Sequence, residues 1–267
     1  MTANGRGRRP ARFEVSEGVL RLYGQAVFSG SPNALLARID ELAKDGDRHL
    51  VTTLNVNQVL DLQENPAYRS AYQAASLRTI DGMPLVVLAR LMGLAKPWRN
   101  TGADLIFQVT RAANARGWKV ALVGGAPGIA AKAAERLTEI SHGAAIRGFG
   151  LPVLRSAADQ GSADVVGELG AFRPSVVFIC LGAPKQELWF RQWRDTLPPG
   201  VYVGAGAAVD FAAGVVRRAP KWTQSLGLEW AWRLAQEPRR LARRYLVEGP
   251  RFLGVAAASL RQGRRGK

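Results

Sequence analysis

The feature that most constrains the fold of this 267-residue chain is a repeated alternation of short apolar runs with helical patterns. The clearest run is SVVFICLG at 175–182, which is apolar almost throughout and ends at a glycine. Similar runs occur at 49–55 and 118–125, and the segment IAAKAAERLTEI that follows the second has helical periodicity. Alternation of this kind indicates a parallel sheet with covering helices, so the sequence predicts an α/β fold.

Weaker patterns extend the alternation toward the C-terminus. AAIRGFG indicates a further strand, SADVVGELGAF a helix interrupted by Gly167, and VYVGAGAAVDFAAG a strand that runs into a glycine-rich turn. Beyond about residue 215 the chain becomes basic, aromatic and helical, and Trp222, Leu226, Trp230 and Leu234 form one apolar stripe. The predicted organisation is a flexible basic arm at 1–12, an α/β body at 13–214 and a basic, helical C-terminal appendage at 215–267.

The net charge of +16 is concentrated at the two ends of the chain. Residues 1–12 contain four arginines and no acid, and residues 217–267 contain thirteen Lys and Arg against three Glu. The rest of the chain is close to neutral. A neutral body with a basic tail points to a polyanionic partner, which could be nucleic acid, an anionic lipid surface or a phosphorylated ligand.

Several kinds of protein are disfavoured by composition. The single cysteine, Cys180, lies in an apolar run, and the histidines, His49 and His142, are isolated, so neither a disulfide framework nor a metal site is expected. No apolar stretch reaches the roughly 20 residues that a membrane-spanning helix needs. The N-terminal segment has arginines without an apolar run behind them, so it is not expected to be a signal peptide. We therefore expect a cytoplasmic protein.

Polar residues that follow the predicted strands are the first candidates for a site, because ligands of open parallel sheets bind outside the carboxyl ends of the strands. Lys185, Gln186 and Glu187 follow the run at 175–182. Thr53 and Asn55 end the run at 49–55 and could hydrogen-bond a sugar or a base. The alternative interpretations are a plain helix start for the first group, and turn or helix-cap chemistry for the second.

Three further segments have chemistry suited to a phosphorylated ligand. Asp81 precedes Gly82 and could act as a general base, although Asp-Gly is also a common turn. Arg99 could bind a phosphate through two hydrogen bonds, or it could be a surface arginine. The amides of Gly124 and Gly125, between a strand and a helix, could surround a phosphate. The full glycine fingerprint of a dinucleotide site is missing.

Taken together, these segments resemble the WecG/TagA/CpsF family of bacterial glycosyltransferases, also called glycosyltransferase family 26. The similarity runs from about residue 49 to residue 253 and includes seven segments in order. They are TLN, the DG at 81–82 with the apolar helix after it, RNTGADL, LVGGAPGIAAKAAERL, CLGAPKQELW, GAGAAVDFAAG, and the segment from RRAPKWTQ to GPRFL. Asn57 departs from the pattern, because many relatives have an acid there.

The resemblance implies an inverting transfer of a sugar from a UDP-sugar to a polyprenyl-diphosphate-linked sugar, without a metal ion or a cofactor. It also implies a Rossmann-like body. Asp81 matches the proposed base of the family, and Thr53, Asn55, Arg99 and Gln186 match residues that line the pocket. The arginines that the appendage folds over the pocket match Arg233, Arg240 and Arg243.

The resemblance and the basic tail together suggest a peripheral protein on the cytoplasmic face of the inner membrane, where tryptophan, tyrosine and basic side chains favour the interface. A homo-oligomer is possible. Two other classes stay open at this point: a nucleic-acid-binding protein, which the basic tail permits, and a nicotinamide-dependent oxidoreductase, which the incomplete fingerprint disfavours. Neither has a motif of its own in the sequence.

Overall fold

The N-terminal part of the chain forms a small antiparallel sheet that the patterns above do not predict. The structure is a computed structural model that describes residues 10–151, 160–216, 223, 229–236 and 248–265. Three strands pair in sequence order, and a helix with Ser31 as its N-cap follows them. These elements are β1 (Phe13–Ser16), β2 (Val19–Leu22), β3 (Gln25–Val27) and α1 (Pro32–Lys44).

The body alternates strands and helices as the apolar runs predict, so the α/β class is confirmed. The helix predicted at 129–140 begins and ends where its pattern does. The elements are β4 (Arg48–Leu54), α2 (Val56–Glu64), α3 (Pro66–Ala74), β5 (Leu77–Ile80), α4 (Met83–Leu91), α5 (Gly102–Arg116), β6 (Val120–Gly124), α6 (Ile129–Ile140), β7 (Ile146–Phe149), α7 (Gln160–Phe172), β8 (Val176–Cys180), α8 (Lys185–Trp193), β9 (Gly200–Gly204) and α9 (Ala208–Ala212).

The predicted interruption of the helix at Gly167 is wrong. α7 is continuous from Gln160 to Phe172. A glycine inside a helix is less favourable than alanine by about 0.5–1 kcal/mol, which weakens a helix without ending it. Burial of Val165, Val166 and Leu169 on one side of the helix offsets this loss.

Six parallel strands form the main sheet in the order β5-β4-β9-β8-β6-β7. Successive residues of a strand face opposite sides of the sheet. In β8, Phe178 therefore packs in the cluster that includes α1, α5 and α6, whereas Val177 and Ile179 pack in the cluster that includes α7 and α8. Since both faces are covered, the central strands β9, β8 and β6 are apolar throughout.

The C-terminal part of the described chain contains α10 (Glu229–Gln236) and α11 (Gly249–Arg265). Phe252 and Val255 of α11 are buried in a third cluster, which also contains residues of β1, β2, α2, α3 and α4. The Phe13 N–H donates a hydrogen bond to Ser259 Oγ at 2.9 Å. α11 thus packs on the body, and the proposed division at residue 215 stays a prediction.

Candidate functional site

The candidate site lies along the edge where four neighbouring strands end. β5, β4, β9 and β8 are adjacent and parallel, so the residues that follow them share this edge. Leu54 of β4 pairs with Ile80 of β5. Neighbouring strands lie about 4.8 Å apart, so the next residues, Asn55 and Asp81, lie side by side. The edge therefore brings together two candidates from separate parts of the sequence.

Backbone hydrogen bonds hold Asp81 at this edge. The Asp81 N–H donates to the Leu54 carbonyl at 2.7 Å, and the Gly82 N–H donates to the same oxygen at 3.2 Å. A Cβ atom on Gly82 would lie 3.5 Å from the Asn55 Cα, so the two residues are in contact. The Asp81 side chain is half-buried, and α4 begins at Met83. Asp81 is therefore fixed beside Asn55 at the start of a helix.

Thr53 and Asn55 both have structural hydrogen bonds. The buried Thr53 hydroxyl donates to the Gly204 carbonyl at 2.9 Å and so joins β4 to β9. Asn55 is the N-cap of α2: its Oδ1 accepts from the Gln58 N–H, and its own N–H donates to Gln58 Oε1. The helix-cap interpretation of Asn55 is thus correct. The Nδ2 amide of Asn55 takes no part in the cap.

The three polar residues after β8 differ in environment. Lys185 is exposed, whereas Gln186 and Glu187 are buried. Gln186 Oε1 accepts from the Gly206 N–H at 3.0 Å, and Gln186 Nε2 donates to Glu187 Oε1 at 3.0 Å. A Cβ on Gly204 would lie 2.5 Å from Gln186 Nε2, so the close approach of this amide requires a glycine there. Gln186 thus fixes the loop after β9.

Glu187 is a buried carboxyl group. Its side chain has no exposed surface, and among the described residues Oε2 has no hydrogen-bond partner. Burial raises the pKa of Glu187 to about 7; the negative charge of Asp61 also raises it, and the hydrogen bond from Gln186 lowers it. Burial, together with the nearby charge of Glu187, raises the pKa of Tyr68 well above its usual value. Glu187 is therefore partly protonated near neutral pH.

The loop that carries Arg99 crosses the same edge. The Asn100 N–H donates to the Ile80 carbonyl at 2.6 Å, which places Arg99 close to the end of β5. A Cβ on Gly102 would lie 2.9 Å from the Ala205 Cα, just beyond β9. The loop therefore runs from the end of β5 to the end of β9, past Asn55. Arg99 itself is half-buried.

Gly124 and Gly125 have backbone conformations that favour glycine, with φ of 98° and 83°. A Cβ on Gly124 would lie 2.9 Å from Leu181 Cδ2. The Gly125 N–H donates to the Cys180 carbonyl at 3.2 Å. The fold itself therefore explains both glycines, and a role of their amides in phosphate binding stays a prediction.

Three helices that start at this edge begin without a side-chain cap. The N-cap residues of α4, α6 and α8 are Gly82, Gly128 and Pro184, and none provides a side-chain hydrogen bond. The dipole of a helix favours anions at its start, although one first-turn N–H group in each of these helices (Leu85, Ile129 and Gln186) already donates to a backbone carbonyl. By contrast, Asn55 and Thr101 cap α2 and α5. The edge thus has uncapped helix starts that suit a negatively charged ligand.

The C-terminal segment returns to this edge at Glu248. Asn57 Nδ2 donates to Glu248 Oε2, and Arg251 forms an ion pair with Glu64 at the other end of α2. Arg240 and Arg243 lie outside the described residues. Arg233 lies in α10, but its side chain is also outside the described part. The structure therefore does not place these three predicted arginines relative to Asp81.

A cleft with a volume of about 460 Å³ lies where the α2–α3 junction meets the start of α8. These residues were not predicted as site residues, because their sequence indicates only the start of a helix near Pro66. The sequence offers only a weak indication of a cleft here, namely acidic and amide side chains next to a proline where two helices meet. The lining residues are Asp61, Glu64, Asn65, Pro66 and Pro184.

Two features are absent from the described residues. No group of three or more His, Cys, Asp or Glu in this part of the chain could hold a metal ion. Likewise, no helix among the described elements is long and apolar enough to cross a membrane.

A family model described as "Glycosyl transferase WecG/TagA/CpsF family" matches residues 20–266. The match covers the body and the C-terminal segment, including every candidate residue named above.

Proposed function

The chain belongs to the WecG/TagA/CpsF family of glycosyltransferases, and from this premise we propose that it transfers a sugar from a UDP-sugar to a polyprenyl-diphosphate-linked sugar. The reaction inverts the anomeric carbon and needs neither a metal ion nor a cofactor. The product serves bacterial polysaccharide biosynthesis. The enzyme works as a peripheral protein on the cytoplasmic face of the inner membrane, where its lipid-linked acceptor is found.

The observation that supports this proposal best is the position of Asp81. Backbone hydrogen bonds fix the Asp81 backbone beside Asn55, and the Asn100–Ile80 hydrogen bond brings Arg99 close to the same strand end. Inverting transfer requires one base at the acceptor hydroxyl and cationic or dipolar groups at the departing diphosphate. Both kinds of group are present at one edge of the sheet.

The proposed step is a single displacement. The acceptor hydroxyl oxygen attacks the anomeric carbon from the face opposite UDP, and Asp81 takes the hydroxyl proton. The bond between the anomeric carbon and the β-phosphate oxygen breaks, and its electron pair leaves with UDP. Asn55 Nδ2, which the helix cap leaves unused, can orient a sugar hydroxyl. Thr53 acts through the strand pairing that it stabilises.

The departing diphosphate is neutralised by protein groups. Arg99 and the uncapped starts of α4, α6 and α8 provide positive charge and N–H donors from the body. Arg233, Arg240 and Arg243 provide further charge from the C-terminal segment.

Product analysis tests this proposal. A synthetic lipid-diphosphate sugar is incubated with a panel of UDP-sugars in the presence of EDTA, and products are identified by mass spectrometry and NMR. We expect one UDP-sugar to add one sugar residue with an inverted anomeric configuration and release of UDP. Absence of product with every donor, or a strict requirement for added Mg²⁺ or Mn²⁺, would contradict the proposal.

Removal of the whole segment from residue 215 is a poor test of the appendage, because α11 belongs to the packed core. Replacing Arg233, Arg240 and Arg243 together by Gln keeps that packing. We expect this variant to fold normally and to lose at least tenfold in turnover, since the diphosphate loses its counter-charge. Turnover equal to that of the unmodified protein would remove these arginines from the mechanism.

A further inference from the structure

α4 and the loop after it present an apolar surface to solvent. Val87 is 48% exposed, Leu91 is 66% exposed, and Trp98 is 49% exposed. The exposed Arg90 and Lys96 lie between them in the sequence. We call these five residues the α4 face. The described residues include six large apolar side chains that are exposed to solvent. Three of the six fall in this one segment.

The outward side of α4 differs from that of other surface helices in this protein. α6 buries Ala133 and Leu137, and it exposes charged residues such as Lys132 and Glu135. α4 has a single charged residue, and it is apolar on its buried side as well as on its outward side. A helix that is apolar all round is normally buried in protein or in lipid. No described element covers the outward side of α4, as the exposed fractions show.

The charge around the α4 face favours an anionic lipid surface as its partner. No Asp or Glu occurs from Gly82 to Ala103, whereas Arg90, Lys96 and Arg99 lie in this stretch. Lysine and arginine near a membrane are attracted to anionic headgroups, and tryptophan is enriched at the membrane–water interface. α4 has nine residues, so it is too short to span a bilayer. Such a helix suits a position along the interface.

We propose that the α4 face binds the headgroup layer of an anionic membrane and so holds Asp81 at the depth of the acceptor diphosphate. Asp81 precedes α4 by two residues, and Leu91 is about 15 Å from it along the helix axis. Contact of the α4 face with lipid therefore keeps the carboxylate next to the membrane surface. Binding of the α4 face to lipid does not depend on the proposed glycosyltransferase function. The role of that binding in positioning Asp81 does rest on the proposed function.

Site-specific fluorescence tests the binding in the full-length protein. Leu91→Cys carries an environment-sensitive nitrobenzoxadiazole label, and Glu135→Cys, at an exposed position of α6, is the matched control. The native Cys180 is buried, which raises its pKa to about 12, so it reacts slowly with the label. With phosphatidylglycerol vesicles we expect a severalfold gain in emission at position 91, and no gain at position 135 or with phosphatidylcholine alone.

Three results would overturn the proposal: no gain at position 91, an equal gain at both positions, or a gain that depends on protein concentration without vesicles. The last would identify a second copy of this chain as the partner of the α4 face.

Activity separates membrane binding from a purely structural effect. The double variant Val87→Gln/Leu91→Gln is assayed with an acceptor embedded in phosphatidylglycerol vesicles and with a water-soluble short-chain acceptor. We expect at least a tenfold loss with the vesicle acceptor and less than a twofold change with the soluble one. Equal losses with both would overturn the proposal. If the unmodified protein used neither acceptor, the proposed function would fail, while the fluorescence result would still decide the membrane contact.

Discussion

At the scale of single residues, Glu187 explains how the loop after β9 is positioned. Its Oε1 accepts from Gln186 Nε2, so Gln186 Oε1 is left to accept from the Gly206 N–H. A buried carboxylate without full hydrogen bonding is unfavourable, and burial accordingly raises the pKa of Glu187 to about 7. The residue therefore stabilises the orientation of a neighbour and reduces stability when it ionises.

Glu187→Gln removes this ionisation. The pKa of Glu187 is about 7 in the folded protein, against an ordinary value of 4.5. Between pH 4.5 and 7 the folded state therefore binds more protons than the unfolded state. Stability of the unmodified protein therefore falls as pH rises from about 4.5 to 7, by at most about 3 kcal/mol. The variant lacks this decline. Urea unfolding at several pH values measures the difference, with the exposed Glu168→Gln as control. Parallel curves for the variant and the unmodified protein would contradict the assignment.

Part of the residue-scale picture could be predicted from sequence. Asn55 ends an apolar run and Asp81 follows a short apolar–polar alternation. Because the ends of parallel strands share an edge, their proximity could be expected. The outward position of Lys185 and the inward position of Gln186 could not, because the rotation of a short helix about its axis depends on packing. The proximity of Glu187 and Tyr68 was equally inaccessible, since it arises from packing of α8 against α3.

At the scale of elements, the geometry of the edge depends on how closely α5 approaches β9. The first residue of α5, Gly102, faces the Ala205 backbone, and a Cβ there would lie 2.9 Å from the Ala205 Cα. The backbone of Gly102 faces the backbone of Ala205, so a side chain at position 102 cannot be accommodated by a rotamer change in a neighbouring residue. The loop with Arg99 and the loop after β9 are held together at this point.

Gly102→Ala is therefore expected to move these two loops apart by a few tenths of an ångström. Turnover depends steeply on the alignment of reacting groups, so kcat/KM should fall at least tenfold while the far-ultraviolet circular dichroism spectrum stays unchanged. Gly170→Ala in α7, where a Cβ meets nothing within 4 Å, is the matched control and should retain full activity. Full activity in Gly102→Ala would show that the contact is not important for catalysis.

Strands and helices of the body were predictable because buried parallel strands are apolar on both faces. The N-terminal sheet was not. Its two turns have Glu17-Gly18 and Tyr23-Gly24 at their centres, all with positive φ. Two-residue hairpin turns of this kind normally contain Asn-Gly or Asp-Gly, and glutamate and tyrosine are uncommon at positive φ. The hairpin signal in the sequence is therefore weak.

At the scale of the whole molecule, the two ends of the described chain share one core cluster. Phe13 and Leu22 from the N-terminal sheet pack in the same cluster as Phe252 and Val255 from α11. The Phe13–Ser259 hydrogen bond joins positions 246 residues apart. Neither this closure nor the strand order could be predicted from the sequence, because local patterns do not specify which distant elements pair.

Phe252→Ala tests whether α11 is part of the folded body. The Phe252 side chain is 5% exposed, and loss of a buried phenylalanine typically destabilises a protein by about 3–5 kcal/mol. Its neighbour Leu253 is 68% exposed, so Leu253→Ala should change stability by less than about 0.5 kcal/mol. Equilibrium urea unfolding compares the two variants directly. Equal, small effects would indicate that α11 does not contribute to the stability of the body.

In the proposed mechanism, a carboxylate at the carboxyl edge of the sheet deprotonates the acceptor, while cationic groups from two parts of the chain hold the donor. The most direct measurement compares Asp81→Asn with the unmodified protein in turnover and in UDP binding by calorimetry. We expect turnover to fall by about two to four orders of magnitude, with UDP affinity unchanged within twofold. Near-normal turnover, or a loss of UDP binding large enough to explain the fall, would contradict it.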